Sequence, residues 1–232
     1  MFPLKDNIPA RVLPVVNIAL IGVNLAVFVY VVAQGEEAAG VIYEHGFIPA
    51  RFLAGSDILF TPARLFPLFS SMFLHGSVMH LVGNMWMLWI FGDNIEDVMG
   101  HGRYLLFYLL CGVVAVAAQG LAAPLSQVPM VGASGAISGI LGAYLCTYPR
   151  AKVLTLLPIF IFFYLVEVPA FFFLGLWFLL QFLQGWMQYS AAAGVASGVA
   201  WWAHVGGFGA GVVLIRYFRK RPAGKQGKGL QL

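Results

Sequence analysis

A serine framed by small residues and a histidine roughly seventy residues later are the residues best suited to chemistry in this chain. Ser134 lies in the run Gly132-Ala133-Ser134-Gly135, and His204 lies in Ala203-His204-Val205-Gly206-Gly207. A serine hydroxyl is a poor nucleophile until a base removes its proton, and an imidazole can be that base. Glycines follow both residues and would let two helices approach closely, so that the two side chains touch. The pair therefore predicts a serine hydrolase.

The composition of the chain indicates where this chemistry takes place. Hydrophobic residues make up 61% of the 232 residues and charged residues only 9%, and the mean hydropathy is +0.87. In soluble domains about a quarter of the residues are charged, so these values are typical of a polytopic membrane protein. The length allows roughly six spans of about 20 residues with their loops. Cys111 and Cys146 fall in apolar segments, where free thiols are expected.

Hydropathy, and the charges that interrupt it, predict where the spans lie. The run Val12–Val32 is too long for a cleaved signal peptide and is predicted to be the first transmembrane helix. A long, partly polar stretch follows it up to His75. The later spans are predicted at Val78–Ile95, Tyr104–Leu121, Ser134–Tyr148, Pro169–Leu183 and Ala203–Tyr217. The region Val153–Trp186 is ambiguous on hydropathy alone, since it fits one span or two.

The distribution of basic residues favours one crossing in that region. Lys and Arg concentrate at the cytoplasmic ends of spans. With the N-terminus inside and six spans, eleven of the thirteen Lys and Arg residues lie inside, and only Arg51 and Arg64 lie outside. The same arrangement puts Ser134 and His204 on one side of the membrane. The segment Val153–Val168 is then predicted to be an apolar loop on the cytoplasmic side, either re-entrant or lying in the interface.

The predicted fold is an all-α polytopic membrane protein built as a bundle of six transmembrane helices. Its parts are a cytoplasmic N-terminal segment, residues 1–11, a transmembrane catalytic domain, residues 12–217, and a basic cytoplasmic tail, residues 218–232. Both termini are predicted to be cytoplasmic and the membrane to be the cell (inner) membrane. The segment 186–202, rich in small residues, is predicted to be a mobile lid over the site.

Two polar residues of the second span are candidates for an oxyanion hole. His80 and Asn84 are four residues apart and so share one face of the helix near its external end. Polar side chains within a span usually face the protein interior. With the backbone N–H of Ser134, they can hold the oxyanion of a tetrahedral intermediate. Hydrogen bonds that only join helices are the alternative interpretation.

A carboxylate that would complete a catalytic triad is missing near this pair. The predicted external loops, residues 122–133 and 186–202, contain no Asp or Glu. The acidic residues near spans lie at the inner ends of the second and fifth helices, where Glu167 is interpreted as an ion-pair partner of Arg150 or Lys152. The sequence therefore favours a Ser-His dyad.

Three blocks in order carry a resemblance to a known family. The first is Phe73-Leu74-His75-Gly76-Ser77 with His80 and Asn84, and the other two are the serine and histidine runs, the latter with Gly211. Together, over about Arg64 to Tyr217, they resemble the rhomboid family of intramembrane serine proteases.

The resemblance implies a six-helix fold that cleaves single-span membrane proteins near the external end of their transmembrane helix. It implies catalytic Ser134 and His204, oxyanion-binding His80 and Asn84, and neither a cofactor nor a metal. Its expected partners are transmembrane substrates and membrane lipids, not nucleic acid. The chain departs from the family pattern in having Phe66-Pro67 in place of a Trp-Arg pair, and Ser138 in place of an aromatic residue after the nucleophile.

Two other functions compete with proteolysis. A catalytically inactive rhomboid-like protein would bind transmembrane clients without cutting them. A small channel or transporter would use buried His, Asn and Ser as a polar pathway. Such a pathway would need polar groups through the whole membrane depth, whereas here they cluster near one face.

Overall fold

The computed structural model describes residues 1–53, 61–190 and 199–220. In these residues the chain forms nine α-helices and a sheet of three strands. The helices are α1 Val15–Ala33, α2 Ala38–His45, α3 Pro49–Leu53, α4 Pro62–Ser70, α5 Val78–Met99, α6 His101–Ala122, α7 Ser134–Thr147, α8 Ala170–Ser190 and α9 Trp201–Phe218. The strands are β1 Phe2–Asp6, β2 Lys152–Ile159 and β3 Phe162–Pro169. Short 3₁₀ turns follow α1 and α4.

The long helices are those of a polytopic membrane protein. Among the described helices, α1, α6 and α8 are each long and apolar enough to cross a membrane. A fourth candidate is the pair formed by α4 with its 3₁₀ turn and α5, which is bent by 80°. Each of the six predicted spans begins within three residues of the start of a helix, α1, α5, α6, α7, α8 or α9. The predicted all-α membrane fold is therefore confirmed, and the count of six crossings stays a prediction.

Helix α7 lies at the centre of the bundle and packs against α9 through glycines. Its residues from Gly135 to Tyr144 are all buried. A Cβ placed on Gly207 or Gly211 of α9 would overlap the carbonyl oxygen of Gly135 or Gly139. The two backbones are therefore in direct contact, which only glycine allows at these positions. This contact fixes how the first turns of α7 and α9 face each other.

The first helix obtains its N-terminal cap from another helix. Glu96 of α5 is fully buried, and its carboxylate accepts the backbone N–H groups of Val16 at 3.0 Å and Asn17 at 2.7 Å. The residue before α1 is Pro14, whose side chain cannot accept a hydrogen bond. A negative charge at a helix N-terminus also interacts favourably with the helix dipole. Glu96 further bonds His101 Nδ1 at 2.5 Å, which joins α1, α5 and the start of α6.

The prediction that Val153–Val168 has no regular structure is wrong, because this segment forms a β-hairpin; its re-entrant or interfacial placement stays a prediction. Strands β2 and β3 pair antiparallel from Lys152↔Pro169 to Ile159↔Phe162. Their Val, Leu, Ile, Phe and Tyr residues favour paired strands, and the pairing satisfies backbone groups that an apolar loop would leave bare. Lys152 Nζ pairs with Glu167 Oε2 at 2.6 Å at the open end, as the sequence interpretation of Glu167 anticipated.

The N-terminal residues add a strand that the sequence analysis did not predict. Strand β1 pairs antiparallel with β2, so the sheet order is β1-β2-β3. Trp86 Nε1 donates to Pro3 O at 2.6 Å, and Asn94 Nδ2 donates to Ile8 O at 3.1 Å. Asp6 accepts a hydrogen bond from the hydroxyl of Tyr144. The sheet therefore lies along α5 and reaches α7.

Candidate active site

Ser134 and His204, 70 residues apart in the chain, are hydrogen-bonded to each other. His204 Nε2 lies 2.8 Å from Ser134 Oγ. Ser134 is the first residue of α7, and His204 lies in the first turn of α9. The amide oxygen of Gln119 on α6 accepts the backbone N–H of Trp202 at 3.1 Å and so fixes the start of α9. The contact between the two helices thus aligns a hydroxyl donor with an imidazole acceptor.

The turn that leads into α7 requires a glycine next to a histidine. Gly132 has φ +123°, a backbone conformation that other residues rarely adopt. A Cβ at this position would lie 2.6 Å from His80 Nε2 and 3.6 Å from Asn84 Nδ2. The structure therefore brings both predicted oxyanion residues against the backbone two residues before Ser134.

Asn84 is held by a histidine in the loop that precedes α5. Its Nδ2 donates to His75 Nε2 at 2.9 Å, and both side chains are buried. Burial, with a smaller contribution from neighbouring His80, lowers the pKa of His75 to about 4. His75 is therefore neutral near pH 7 and can accept this hydrogen bond through a ring nitrogen. The contact joins the loop at His75 to helix α5.

The imidazole of His204 has a second partner that the sequence analysis missed. Gln181 Oε1 on α8 lies 2.6 Å from His204 Nδ1. The predicted dyad rests on the absence of a carboxylate, but a neutral amide oxygen can also accept a hydrogen bond from the imidazole. The available signal was a polar residue within the apolar run of the fifth helix, since such residues usually have a partner inside the protein.

Aromatic rings pack near His204 from α8 and α9, although position 138 of α7 carries a serine. Ser138 Oγ donates to the carbonyl oxygen of Ser134 at 2.6 Å and makes no aromatic contact with the histidine. The rings of Trp177 and Trp201 instead lie 6.0 Å from the His204 ring, centre to centre. Two indoles therefore pack near the imidazole, Trp177 from α8 and Trp201 from α9.

A cavity of about 870 Å³ opens beside this pair. It is bounded by helices α5 to α9 and by the loop before α7, and its lining includes His80, Asn84, Ser134, Gln181 and His204. The cavity therefore exposes the hydroxyl, the imidazole and the candidate oxyanion donors to one space. Among the described residues there is no group of three His, Cys, Asp or Glu side chains that could hold a metal ion. The predicted lid, residues 186–202, includes residues 191–198, which lie outside the described ones.

A sequence profile of the Rhomboid domain matches residues 62–221 of this chain. The chain belongs to the rhomboid family. All of the site described above, from His75 to His204, falls within the matched region, and so do α4 to α9. The family resemblance inferred from the three sequence blocks is thereby confirmed.

Several named proteins are similar to this rhomboid protein over part of its length. The human protein called presenilin-associated rhomboid-like protein, mitochondrial, is 34% identical over 99 residues, which are 41% of this chain and 26% of that protein. Rhomboid protease GluP of Bacillus subtilis (strain 168) is 37% identical over 94 residues, 40% of this chain and 18% of GluP. The putative rhomboid protease YdcA of the same strain is 36% identical over 78 residues, 34% of this chain and 39% of YdcA. The matches thus span from about a fifth to two fifths of these relatives.

Proposed function

We propose that this rhomboid protein is an intramembrane serine endopeptidase that cleaves single-span membrane proteins near the external end of their transmembrane helix. The observation that carries the proposal is the 2.8 Å hydrogen bond between His204 Nε2 and Ser134 Oγ beside an open cavity. The comparisons support the same class of reaction, because the similar protein GluP is named a rhomboid protease.

In the proposed reaction Ser134 is the nucleophile and His204 the general base. As Oγ attacks the scissile carbonyl carbon, Nε2 takes the hydroxyl proton and a bond forms between Oγ and that carbon. Collapse of the tetrahedral intermediate breaks the C–N bond, and the imidazolium gives its proton to the leaving amine. A water molecule then attacks the acyl-enzyme with His204 again as base, which releases the new carboxyl terminus and restores Ser134.

The oxyanion would be held by three donors that converge near the nucleophile. The backbone N–H of Ser134 is one, because first-turn N–H groups have no partner within their own helix. His80 and Asn84 supply the others, since both side chains lie against Gly132. Asn84 uses one amide hydrogen on His75 and keeps a second for substrate. One such donor stabilises a transition state by about 2.7–4 kcal/mol in other hydrolases.

Substrate would enter from the lipid between α5 and α8. These helices meet at Phe91 and Phe173, whose rings stack at 6.3 Å, and beyond this contact Met87 and Trp177 line the cavity. Helix α7 has 14 residues and is therefore about 21 Å long, shorter than a hydrocarbon core of about 30 Å. With the other end of α7 at the cytoplasmic interface, Ser134 would lie below the external surface. The substrate helix must unwind to expose a carbonyl there, which favours cleavage at small or helix-weakening residues.

The proposed membrane placement follows from the basic residues. Three of the described cations, Lys152, Arg216 and Lys220, lie at the end of the bundle opposite Ser134. Positively charged residues mark the cytoplasmic side of a membrane protein. The proposed partners are transmembrane substrates and the surrounding lipids. Both termini are proposed to be cytoplasmic in a cell membrane.

Purified protein in liposomes should release a fragment from a single-span substrate and should react covalently with a fluorophosphonate. Both results are expected because a base-activated serine attacks both carbonyl and phosphonyl centres. Gel analysis of the substrate and fluorescence of the labelled protein measure the two reactions. A folded protein that did neither, yet bound the same substrate, would be the inactive, client-binding kind of family member instead.

A further inference from the structure

Gln181 makes a contact with the imidazole that determines which ring nitrogen carries the proton. An amide oxygen can only accept a hydrogen bond, so the 2.6 Å contact between Gln181 Oε1 and His204 Nδ1 requires a proton on Nδ1. Nε2 is then unprotonated and faces Ser134 Oγ at 2.8 Å. The two contacts together leave the nitrogen beside the nucleophile free to take its proton.

A second side chain of α8 packs near the same imidazole. Trp177 lies four residues before Gln181 on α8, hence on the same face, and its ring packs at 6.0 Å from the His204 ring. Helix α8 thus presents an indole and an amide to one imidazole. A glutamine in an apolar span is costly unless it has a partner, and His204 is that partner.

We propose that Gln181 is a positioning residue, a neutral third member that fixes the reactive tautomer of His204. This inference rests on the proposed protease function. Unlike a carboxylate, the amide orients the imidazole without adding a negative charge beside it. The dipole of the Gln181 amide therefore orients His204 without a buried charge, which would be costly within the membrane.

Replacing Gln181 by Leu should lower kcat for a membrane substrate roughly hundredfold with little change in KM, because the base loses its orientation but the cavity keeps its shape. Gln181→Glu should restore most of the rate, since its carboxylate also accepts from Nδ1. It should also move the acid limb of the kcat–pH profile to higher pH, because a negative neighbour favours the imidazolium form, which cannot act as base. Gln184→Leu, at an exposed position on the same helix, is the matched control and should cleave like wild type.

Three outcomes of this experiment are distinguishable. Wild-type rates and an unchanged pH profile in both Gln181 variants would overturn the positioning role while leaving the protease proposal intact. Loss of rate in Gln181→Leu without rescue or a pH shift in Gln181→Glu would also overturn it, since a packing role predicts that pattern. No cleavage by the wild type itself would instead refute the proposed function.

A second inference rests on the β2–β3 hairpin and is independent of catalysis. Its tip exposes Phe160 by 99%, Ile161 by 81%, Phe162 by 61% and Phe163 by 69%. No charged residue occurs between Lys152 and Glu167. Four consecutive large apolar side chains that are exposed together indicate a surface that contacts another apolar phase.

The hydrogen bonds along α5 place this tip beside the spanning helices. Pro3 bonds Trp86, in the middle of α5, whereas Ile8 bonds Asn94, nearer its inner end. Phe2 pairs with Leu156 of β2, so Leu156 lies at about the level of Trp86. Strand β2 continues beyond this level to the tip, at about 3.3 Å per residue.

We infer that the hairpin is a re-entrant β element whose tip, residues 159–163, is embedded in the hydrocarbon of the bilayer. The exposed side of α8 is apolar as well, with Phe172 and Leu176 open to the surroundings. The paired strands satisfy each other's backbone groups, which makes insertion of non-helical chain possible. The outer edge of β3 has no strand partner among the described residues, so insertion is confined to the tip. The Lys152–Glu167 pair stays at the inner interface.

Phe160→Cys, in a protein that also has Cys111→Ala and Cys146→Ser, provides a single thiol for a polarity-sensitive fluorophore. The attached fluorophore should lie in lipid. In liposomes with brominated acyl chains we expect blue-shifted emission and strong quenching at this position. Arg150→Cys, in the exposed turn after α7, is the control and should show aqueous emission and weak quenching. The same measurement on Phe163→Cys checks that the result does not depend on the loss of one particular side chain. Aqueous emission without quenching at both tip positions would refute the embedding.

Discussion

Replacing Ser134 by Ala, or His204 by Ala, is expected to abolish cleavage of a single-span substrate, and the double variant should be no worse than either single one. The two side chains share one proton along a 2.8 Å hydrogen bond, so removal of either member disables the same step. For serine hydrolases such losses are roughly 10⁴- to 10⁶-fold and far from additive. Quantified fragment release under single-turnover conditions measures the effect.

Removal of an oxyanion donor should have a smaller effect in the same assay. Asn84→Ala and His80→Ala should each leave measurable activity, reduced roughly 10²- to 10³-fold, because the remaining donors still hold the oxyanion. Thermal unfolding in detergent should show that the Ser134 variant is nearly as stable as wild type. Substantial cleavage by the Ser134 or His204 variant would rule out the dyad, and wild-type rates in both oxyanion variants would rule out that assignment alone.

Replacing Gly207 by Ala should both destabilise the protein and lower its rate of cleavage. The added Cβ would overlap the carbonyl oxygen of Gly135, and a backbone atom cannot move aside as a flexible side chain can. Overpacking of this kind costs about 1–3 kcal/mol of stability. The forced separation of α7 and α9 acts next to Ser134 and three residues from His204. A misplacement of about 1 Å between reacting groups is enough to lower the rate by roughly 10².

Gly209→Ala provides the matched comparison on the same helix. A Cβ at Gly209 meets no atom within 4 Å, so no clash is expected. Alanine is favoured over glycine in a helix by about 1 kcal/mol, and the variant should be as stable as wild type or slightly more so. Thermal unfolding and fragment release on both variants check the contrast. Equal stability and activity of the two variants would show that close contact between α7 and α9 does not maintain the site.

The spans and the two reactive residues could be predicted from sequence because each has a local signal. Long apolar runs bounded by charges located the helices to within a few residues at their starts. Ser134 and His204 were recognisable from their residue types, their glycine neighbours and their order. The contact between them needed only that α7 and α9 be adjacent, which the glycines at Gly207 and Gly211 already favoured.

The hairpin could not be predicted because its turn lacks the usual residues. Two-residue hairpin turns favour Gly, Asn or Asp where φ is positive, whereas Phe160 occupies that position with φ 55°. A continuous apolar run does not separate strand from buried helix by periodicity. Gln181 was missed for a different reason, because a lone amide in a helix does not reveal which side chain of a distant helix it will meet.

The cap that Glu96 provides has a consequence for the order in which the chain assembles. The chain is synthesised from its N-terminus, so α1 is made about eighty residues before the carboxylate that accepts its first N–H groups. Until α5 arrives, those donors can be satisfied only by water or headgroups at the membrane surface. The N-terminal end of α1 therefore stays near the membrane interface at first. It is capped only when the Glu96 carboxylate reaches its N–H groups. The N-terminal cap of α1 can therefore form only after α5 has been inserted in its correct position.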